Sequence, residues 1–268
     1  MGERLSALRR GTAVTLDPAH LFARSILLYG SEGFNRLQGA FVAVVGLGGV
    51  GAYAAEALVR AGVGRLRIID CDIVKATDIN RQPLALTTNL GETKTEAAAR
   101  RLLAINPALD LDARQAFFHT DTAEELLSPD LSFVIDAIDS LNPKTALLAH
   151  CRQKGIPLLS VLGASSRTDP FSIRLASLDD TSVCPLARAL RRRLRSRRLP
   201  TDIPVLYSTE PPIGPVAGDE TDGAEVLSES PCIRGRIRRA LPSLSTIPGI
   251  MGLMAANHCI LVLLRKKP

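Results

Sequence analysis

The stretch from Phe41 to Asp72, FVAVVGLGGVGAYAAEALVRAGVGRLRIIDCD, constrains the fold of this chain more than any other. Val42, Val44 and Val45 lie in a short apolar run rich in β-branched residues, which suits a strand buried on both faces. Gly46, Gly48 and Gly51 follow at GxGxxG spacing, with Gly49 added. The first glycine permits a tight turn, the second lets backbone approach a phosphate, and the third lets a helix pack closely on the strand. A helix beginning near Val50 aims free N–H groups and the positive end of its dipole at that turn, and Gly62 is placed to end it. A second apolar strand, Leu66 to Ile69, then delivers Asp70 at the distance where an acid commonly takes ribose hydroxyls. GxGxxG alone is a weak signal. Strand, turn, helix and acid in this order predict a nucleotide site.

The same alternation continues. Asp17-Pro18 predicts a helix to about Tyr29 with Gly30 as its stop, then a short helix over Glu32 to Leu37. A helix is expected from about Thr93 to Ile105, a strand near Leu111 to Phe117, and a capping box of Asp121 with Glu124. Strands over Phe133 to Ile138 and Pro157 to Leu162 flank a helix from Asn142 to about Lys154. This pattern predicts an α/β fold: a Rossmann-like, doubly wound, mainly parallel sheet with helices on both faces and a smaller irregular C-terminal part. Residues 17–268 read as one unit, with a nucleotide-binding core over 17–165 and a second part over 166–268; residues 1–16 read as a flexible basic lead.

In the second part, Phe171 to Leu178 alternates as a strand does, and residues 184–199 form an amphipathic pattern. Leu186, Leu190 and Leu194 make its apolar stripe, and seven arginines from Arg188 to Arg198 fill the other faces. Residues 209–231, acidic and rich in Pro, Gly and Ser, read as a mobile surface loop, followed by Arg234, Arg236, Arg238 and Arg239. A last helix is expected from near Pro248 to about Arg265. Its apolar run, interrupted by Asn257 and His258, reads as too short for a membrane span and better as a core or dimer-interface helix.

Net charge brings in partners. At +6, carried mainly by arginine, the 268-residue chain suits a polyanion such as nucleic acid or an acidic membrane surface. The five cysteines (Cys71, Cys151, Cys184, Cys232, Cys259) form no CxxC, so a zinc ribbon is not expected, and reduced thiols in a cytoplasmic setting are. No secretory signal is visible, and Met1-Gly2 with Ser6 matches a myristoylation pattern that arises often by chance.

Dinucleotide binding does not account for the residues after Asp70. Asn80, Arg81, Gln82, Lys94 and Asp139 come from three segments, all expected at the phosphate edge of the sheet. Arg81 and Lys94 can neutralise triphosphate charge, and Asp139 can hold Mg²⁺, which favours carboxylate with phosphate and water oxygens. No GxxxxGK[ST] occurs, so this is not a Walker loop. Each residue has a plainer reading: Arg81 as a surface charge, Lys94 as an exposed helix residue, Asp139 as a helix N-cap, Asp136 as structural, and Asp72 and Asp78 as either.

GLGGVG, the LRIIDCD strand end, DINRQ, GETK, IDAIDS and the earlier ARSILLYG resemble the superfamily of ubiquitin-activating-like adenylyltransferases. IDAIDSLNPKTALLAHC, PLARALRRRLR, YSTEPP and LPSLSTIPGIMG look most like its branch of tRNA threonylcarbamoyladenosine dehydratases. The resemblance implies that Gly46, Gly48, Gly49 and Gly51 surround ATP phosphates and Asp70 takes the ribose. It places Asn80, Arg81 and Lys94 at the nucleotide and Asp139 on Mg²⁺, with no zinc expected. Arg24 resembles an arginine that reaches a partner subunit's ATP, which implies a homodimer. The implied substrate is tRNA, whose threonyl carboxylate is adenylylated and then cyclised, with Arg188, Arg191, Arg192 and Arg195 as phosphate contacts. A peripheral membrane role for that helix is the less favoured reading. The alternative reaction is adenylylation of the C-terminus of a ubiquitin-like or sulfur-carrier protein. Some relatives use a cysteine in the second half, where Cys184 and Cys232 stand by region only.

Overall fold

The structure, a computed structural model, describes residues 18–213 and 241–265. In chain order it runs α1 (Pro18–Leu21), α2 (Ala23–Gly39), β1 (Phe41–Val45), α3 (Gly51–Ala61), β2 (Arg65–Asp70), α4 (Lys94–Ile105) and β3 (Asp110–Gln115). Then come α5 (Ala123–Leu126), β4 (Phe133–Asp136), α6 (Leu141–Lys154), β5 (Leu158–Val161), β6 (Ile173–Ser177), α7 (Pro185–Ser196), β7 (Pro204–Ser208) and α8 (Thr246–Leu264). The seven strands form one sheet in the order β3-β2-β1-β4-β5-β7-β6. All neighbours pair in parallel except β6 and β7.

Alternate residues along each strand face opposite sides of the sheet. Val42 and Val44 join one apolar cluster with α3, α4 and α8. Ala43 and Val45 join the other, with α5, α6 and α7. β1 is buried along its whole length, as an interior parallel strand covered by helices on both faces must be. The strand order reverses between β1 and β4, and because these strands run parallel the loops after β1, β2, β4 and β5 gather at one carboxyl edge.

The expected elements of the first part are present with shifts of a few residues. Gly30, at φ 70°, breaks the helical path within α2, and Gly62, at φ 102°, caps α3 in the left-handed conformation. The expected capping box at Asp121 is not formed. Helix α5 starts later, with Thr122 at its N-cap and no side-chain cap, while Asp121 Oδ1 lies 3.0 Å from His119 Nδ1. Strand β7 was not anticipated, because YSTEPP carries turn-forming residues directly after it. The expected flexible loop is tied down at its start: Thr209 N donates to Ser172 O and Ile213 N to Ser166 O. The rest of that loop, the basic lead, Asp17, Cys232 and the arginines at 234–239 lie outside the described residues.

Helix α8 corrects the reading of its length. At 19 residues and mean hydropathy 1.9 over its best window, it is long and apolar enough to cross a membrane. Half of that window is buried inside the protein. Ile247, Met251, Ala255, Ala256, Cys259 and Ile260 pack into the cluster beside α3.

Candidate functional site: a glycine cradle ringed by carboxylates

The turn between β1 and α3 is held by its neighbours. Gly46 N donates to Ile69 O at 2.8 Å. Asp70 accepts the Leu47 amide at 2.6 Å through Oδ2 and the Asp72 amide at 2.8 Å through Oδ1. A Cβ at Gly46 would stand 2.8 Å from Ala137 O, and one at Gly51 would penetrate the Gly46 carbonyl. A Cβ at Gly49 would meet Arg81 O at 2.9 Å and Pro248 Cβ at 3.0 Å. These three glycines are therefore required by close packing. Gly48 is different: a Cβ there would meet only Gln82 Nε2, at 4.0 Å. Its open side is the cradle. Helix α3 starts at this turn with no side-chain cap at Val50, and of its first-turn amides Ala52 N already donates to Gly48 O at 3.1 Å.

The loop after β2 forms one wall. Asp78, buried in a short 3₁₀ turn over Ala76–Asp78, is its hub. Its Oδ1 accepts Gln82 Nε2 at 2.7 Å and Arg81 Nη2 at 3.3 Å, and its Oδ2 accepts Lys75 N at 3.2 Å. Arg81 Nη1 also donates to Thr77 O, and Asn80 Nδ2 donates to Ser243 O just before α8.

Lys94 begins α4 as expected, with Thr93 as the N-cap whose Oγ1 accepts Glu96 N. It is not an exposed helix residue, being only 6% exposed, with Nζ 3.5 Å from Asp72 Oδ2 and 3.9 Å from Asp78 Oδ2. Burial alone would lower its pKa. The charges of Asp70, Asp72, Asp78 and Asp139 outweigh that and raise it, so the ammonium is kept. Burial pushes the Asp70 carboxyl above its ordinary range; Lys94 opposes this and Asp72 adds to it. Asp139 is exposed at the loop after β4 and is not the cap of α6, whose N-cap is Ser140.

Below Asp139 lies a pair that the sequence reading missed on one side. Lys144 of α6 is fully buried, and its Nζ donates to Asp136 Oδ2 at 2.7 Å, Val161 O at 2.9 Å and Ser160 Oγ at 3.1 Å. Asp136 Oδ1 accepts the Ile138 amide. The pair joins β4, β5 and α6 directly beneath the Asp139 loop. Asp136 is structural, as one of its readings had it. The signal for Lys144 was a lysine among the apolar residues of its helix.

The arginines divide. Arg24 is exposed on α2. On α7, Leu190 and Leu194 are buried as expected and Arg188 and Arg192 are exposed. Arg195 pairs with Asp179 at 2.8 Å. Arg191 turns inward, and its Nη1 donates to Leu178 O, Thr181 O and Thr181 Oγ1. Cys151, Cys184 and Cys259 are free and buried, with burial pushing the Cys151 thiol up to about 12. Cys71 is disulfide-bonded, against the expectation of a fully reduced set.

The arrangement suits a nucleoside polyphosphate with a divalent cation. The cradle offers backbone amides and one open glycine. Around it, four acids act on Lys94, and the donor atoms of Asp70 and Asp72 lie within 4.8 Å of one another. Carboxylates in excess of cations beside a phosphate cradle fit Mg²⁺ chemistry.

The sequence profile of the ThiF family matches residues 22–268. The tRNA threonylcarbamoyladenosine dehydratase of Bacillus subtilis is 35% identical over 249 residues, covering 92% of this chain and 95% of that protein. The crystal structure of the Escherichia coli tRNA N6-threonylcarbamoyladenosine dehydratase in complex with ATP superposes with a TM-score of 0.80 at 32% identity. It covers 94% of this chain and 97% of that one. The molybdopterin-synthase adenylyltransferase of Salmonella typhimurium is 35% identical, but over 55% of this chain and 59% of its own length.

Proposed function

The chain belongs to the ThiF family, and from that premise we propose that it is an ATP-dependent dehydratase acting on threonylcarbamoyladenosine in tRNA. One observation carries the choice of substrate. The likeness to the dehydratases runs through more than nine-tenths of the chain. The likeness to the carrier-protein adenylyltransferase covers little more than half. On this reading residues 17–268 are one adenylation unit.

Each residue then has a task. Backbone amides around Gly46, Gly48, Gly49 and Gly51 bind the phosphates of ATP, and Asp70 takes the ribose. Asn80, Arg81 and Lys94 line the nucleotide. Asp139 would hold Mg²⁺, which supplies charge neutralisation on the phosphate oxygens when bound. The threonyl carboxylate attacks the α-phosphorus, pyrophosphate leaves, and an acyl-adenylate forms. The adjacent carbamoyl group closes on the activated carbonyl and AMP departs. The ATP-coupled sequence removes the elements of one water from the nucleoside. Ring closure within one molecule has a high effective molarity, so no protein nucleophile is needed.

Arg188, Arg192 and Arg195, with Arg191 as their inner brace, would present phosphate contacts to tRNA. A homodimer fits the apolar surface formed by Leu27 and Leu28 on α2 and Leu253 and Leu261 on α8, all half or more exposed. Arg24 on α2 would reach the partner's nucleotide. Such an enzyme works where tRNA is, in the cytoplasm.

The test is pyrophosphate release from ATP with tRNA that carries or lacks threonylcarbamoyladenosine. Release only with the modified tRNA, abolished in Asp139→Ala, is expected. Release with neither, while ATP still binds, would rule the reading out and point to a protein carrier.

A further inference from the structure

Arg167 stands in the loop after β5, on the same carboxyl edge as the cradle and one strand over from Asp139. It is 4% exposed. Its hydrogen bond among the described residues runs from Nη1 to Ser166 O at 3.1 Å, and its buried Nε has no partner. Burial lowers its pKa, and the neighbouring Cys184 and Glu210 oppose that. Glu210 is already engaged: its carboxylate accepts the Thr168 amide, the Thr168 hydroxyl and the Asp169 amide. Cys184 is the N-cap of α7, a 12-residue helix with no side-chain cap and Pro185 in its first turn. A buried guanidinium with an idle N–H is thus set beside an uncapped helix amino terminus. Arg188, one turn into the same helix, is exposed.

Burying a guanidinium without a counter-charge destabilises a fold. Its planar fork suits a two-oxygen anion, and the uncapped amides of α7 add to the same preference. We propose that Arg167 and the first turn of α7 form an oxyanion site for the RNA substrate, separate from the cradle that holds ATP phosphates. This rests on the tRNA reading above. Two groups of that RNA have the required chemistry: a backbone phosphodiester and the threonyl carboxylate.

The test compares wild type, Arg167→Met and Arg167→Lys, each full length, for binding to tRNA with and without threonylcarbamoyladenosine over a range of salt. ATP-induced thermal stabilisation is the control. Arg167→Met is expected to keep the ATP response and to melt at a higher temperature than wild type, because an unpaired buried charge is gone. It should bind modified tRNA roughly tenfold more weakly, the effect of losing a charged hydrogen bond. Arg167→Lys, which keeps charge without the fork, should fall between. A phosphodiester ligand weakens both tRNAs equally and lowers the salt slope by about one. A carboxylate ligand weakens the modified tRNA alone. Unchanged binding in Arg167→Met, or a lower melting temperature, overturns the proposal and makes the residue structural. Wild type that binds neither tRNA overturns both this proposal and the tRNA reading; wild-type binding with an indifferent Arg167→Met overturns this one alone.

Discussion

Asp70, at the end of β2, accepts the Leu47 amide at 2.6 Å and so fixes the turn that follows β1. The acid expected to meet the ribose holds the glycine turn in register with its own strand. The site is therefore a cooperative object. Changes in its wall alter its floor, and the outcomes below separate binding from stability.

Gly48 and Gly51 should respond differently to alanine. Gly51→Ala drives a methyl group into the Gly46 carbonyl, and backbone must move. A loss of about 3 kcal/mol of stability or more is expected from such overpacking. Gly48→Ala meets no atom closer than 4.0 Å and should melt near wild type. It should nonetheless lose most of its ATP-induced shift in melting temperature, since the methyl group occupies ligand space. Thermal unfolding of both variants with and without ATP and Mg²⁺ checks this.

Lys144→Met should cost about 3–5 kcal/mol in urea unfolding, because the Asp136 carboxylate is left buried and unpaired. Asp136→Asn, which leaves the Lys144 ammonium buried without its counter-charge, should cost a similar amount. Both should weaken ATP binding without touching the nucleotide, through the loop that leads to Asp139.

Acid stability should depend on Asp112. Burial pushes its carboxyl up, but hydrogen bonds from Arg114 and Arg67 hold it below the usual carboxylate range. A depressed carboxylate contributes stability above its unfolded pKa of about 3.8 and loses it as pH falls through the lower folded value. Asp112→Asn should therefore reduce stability at neutral pH and flatten its fall below about pH 4. Denaturant midpoints measured from pH 2 to 7 would reveal the flattening.

The arginines of α7 should separate into two groups. Arg188→Ala and Arg192→Ala should each lower the salt slope of tRNA binding by about one and leave melting unchanged. Arg191→Ala removes donors to Leu178 and Thr181 and should cost about 1–3 kcal/mol of stability. Binding isotherms at several salt concentrations, paired with melting curves, distinguish the two effects.

The first βαβ unit was legible in the sequence because its signals are local. Gly46 to Gly51 define the turn, and the apolar strands on either side have the right length. Lys94 was legible as a candidate because a lysine in the first turn of a helix opposes the dipole. The engagement of Arg191 with carbonyls of a preceding loop was not legible, because it depends on which face of α7 meets the sheet. Lys144 and Arg167 escaped for the same reason: burial is a property of the assembled layers. Strand β7 was masked by the turn residues beside it, and only its pairing with β5 and β6 fixes it.

Helix α8 closes over the first βαβ unit. A Cβ at Gly252 would strike the Val50 carbonyl, Gly249 lies against Tyr53, and Pro248 presses on Gly49. The glycine turn and the helix that braces it thus lie far apart in the chain. During synthesis the glycine turn leaves the ribosome long before the helix that braces it, and this contact of high sequence separation forms late. A chain stalled before Thr246 would carry the whole glycine signature and still lack that brace.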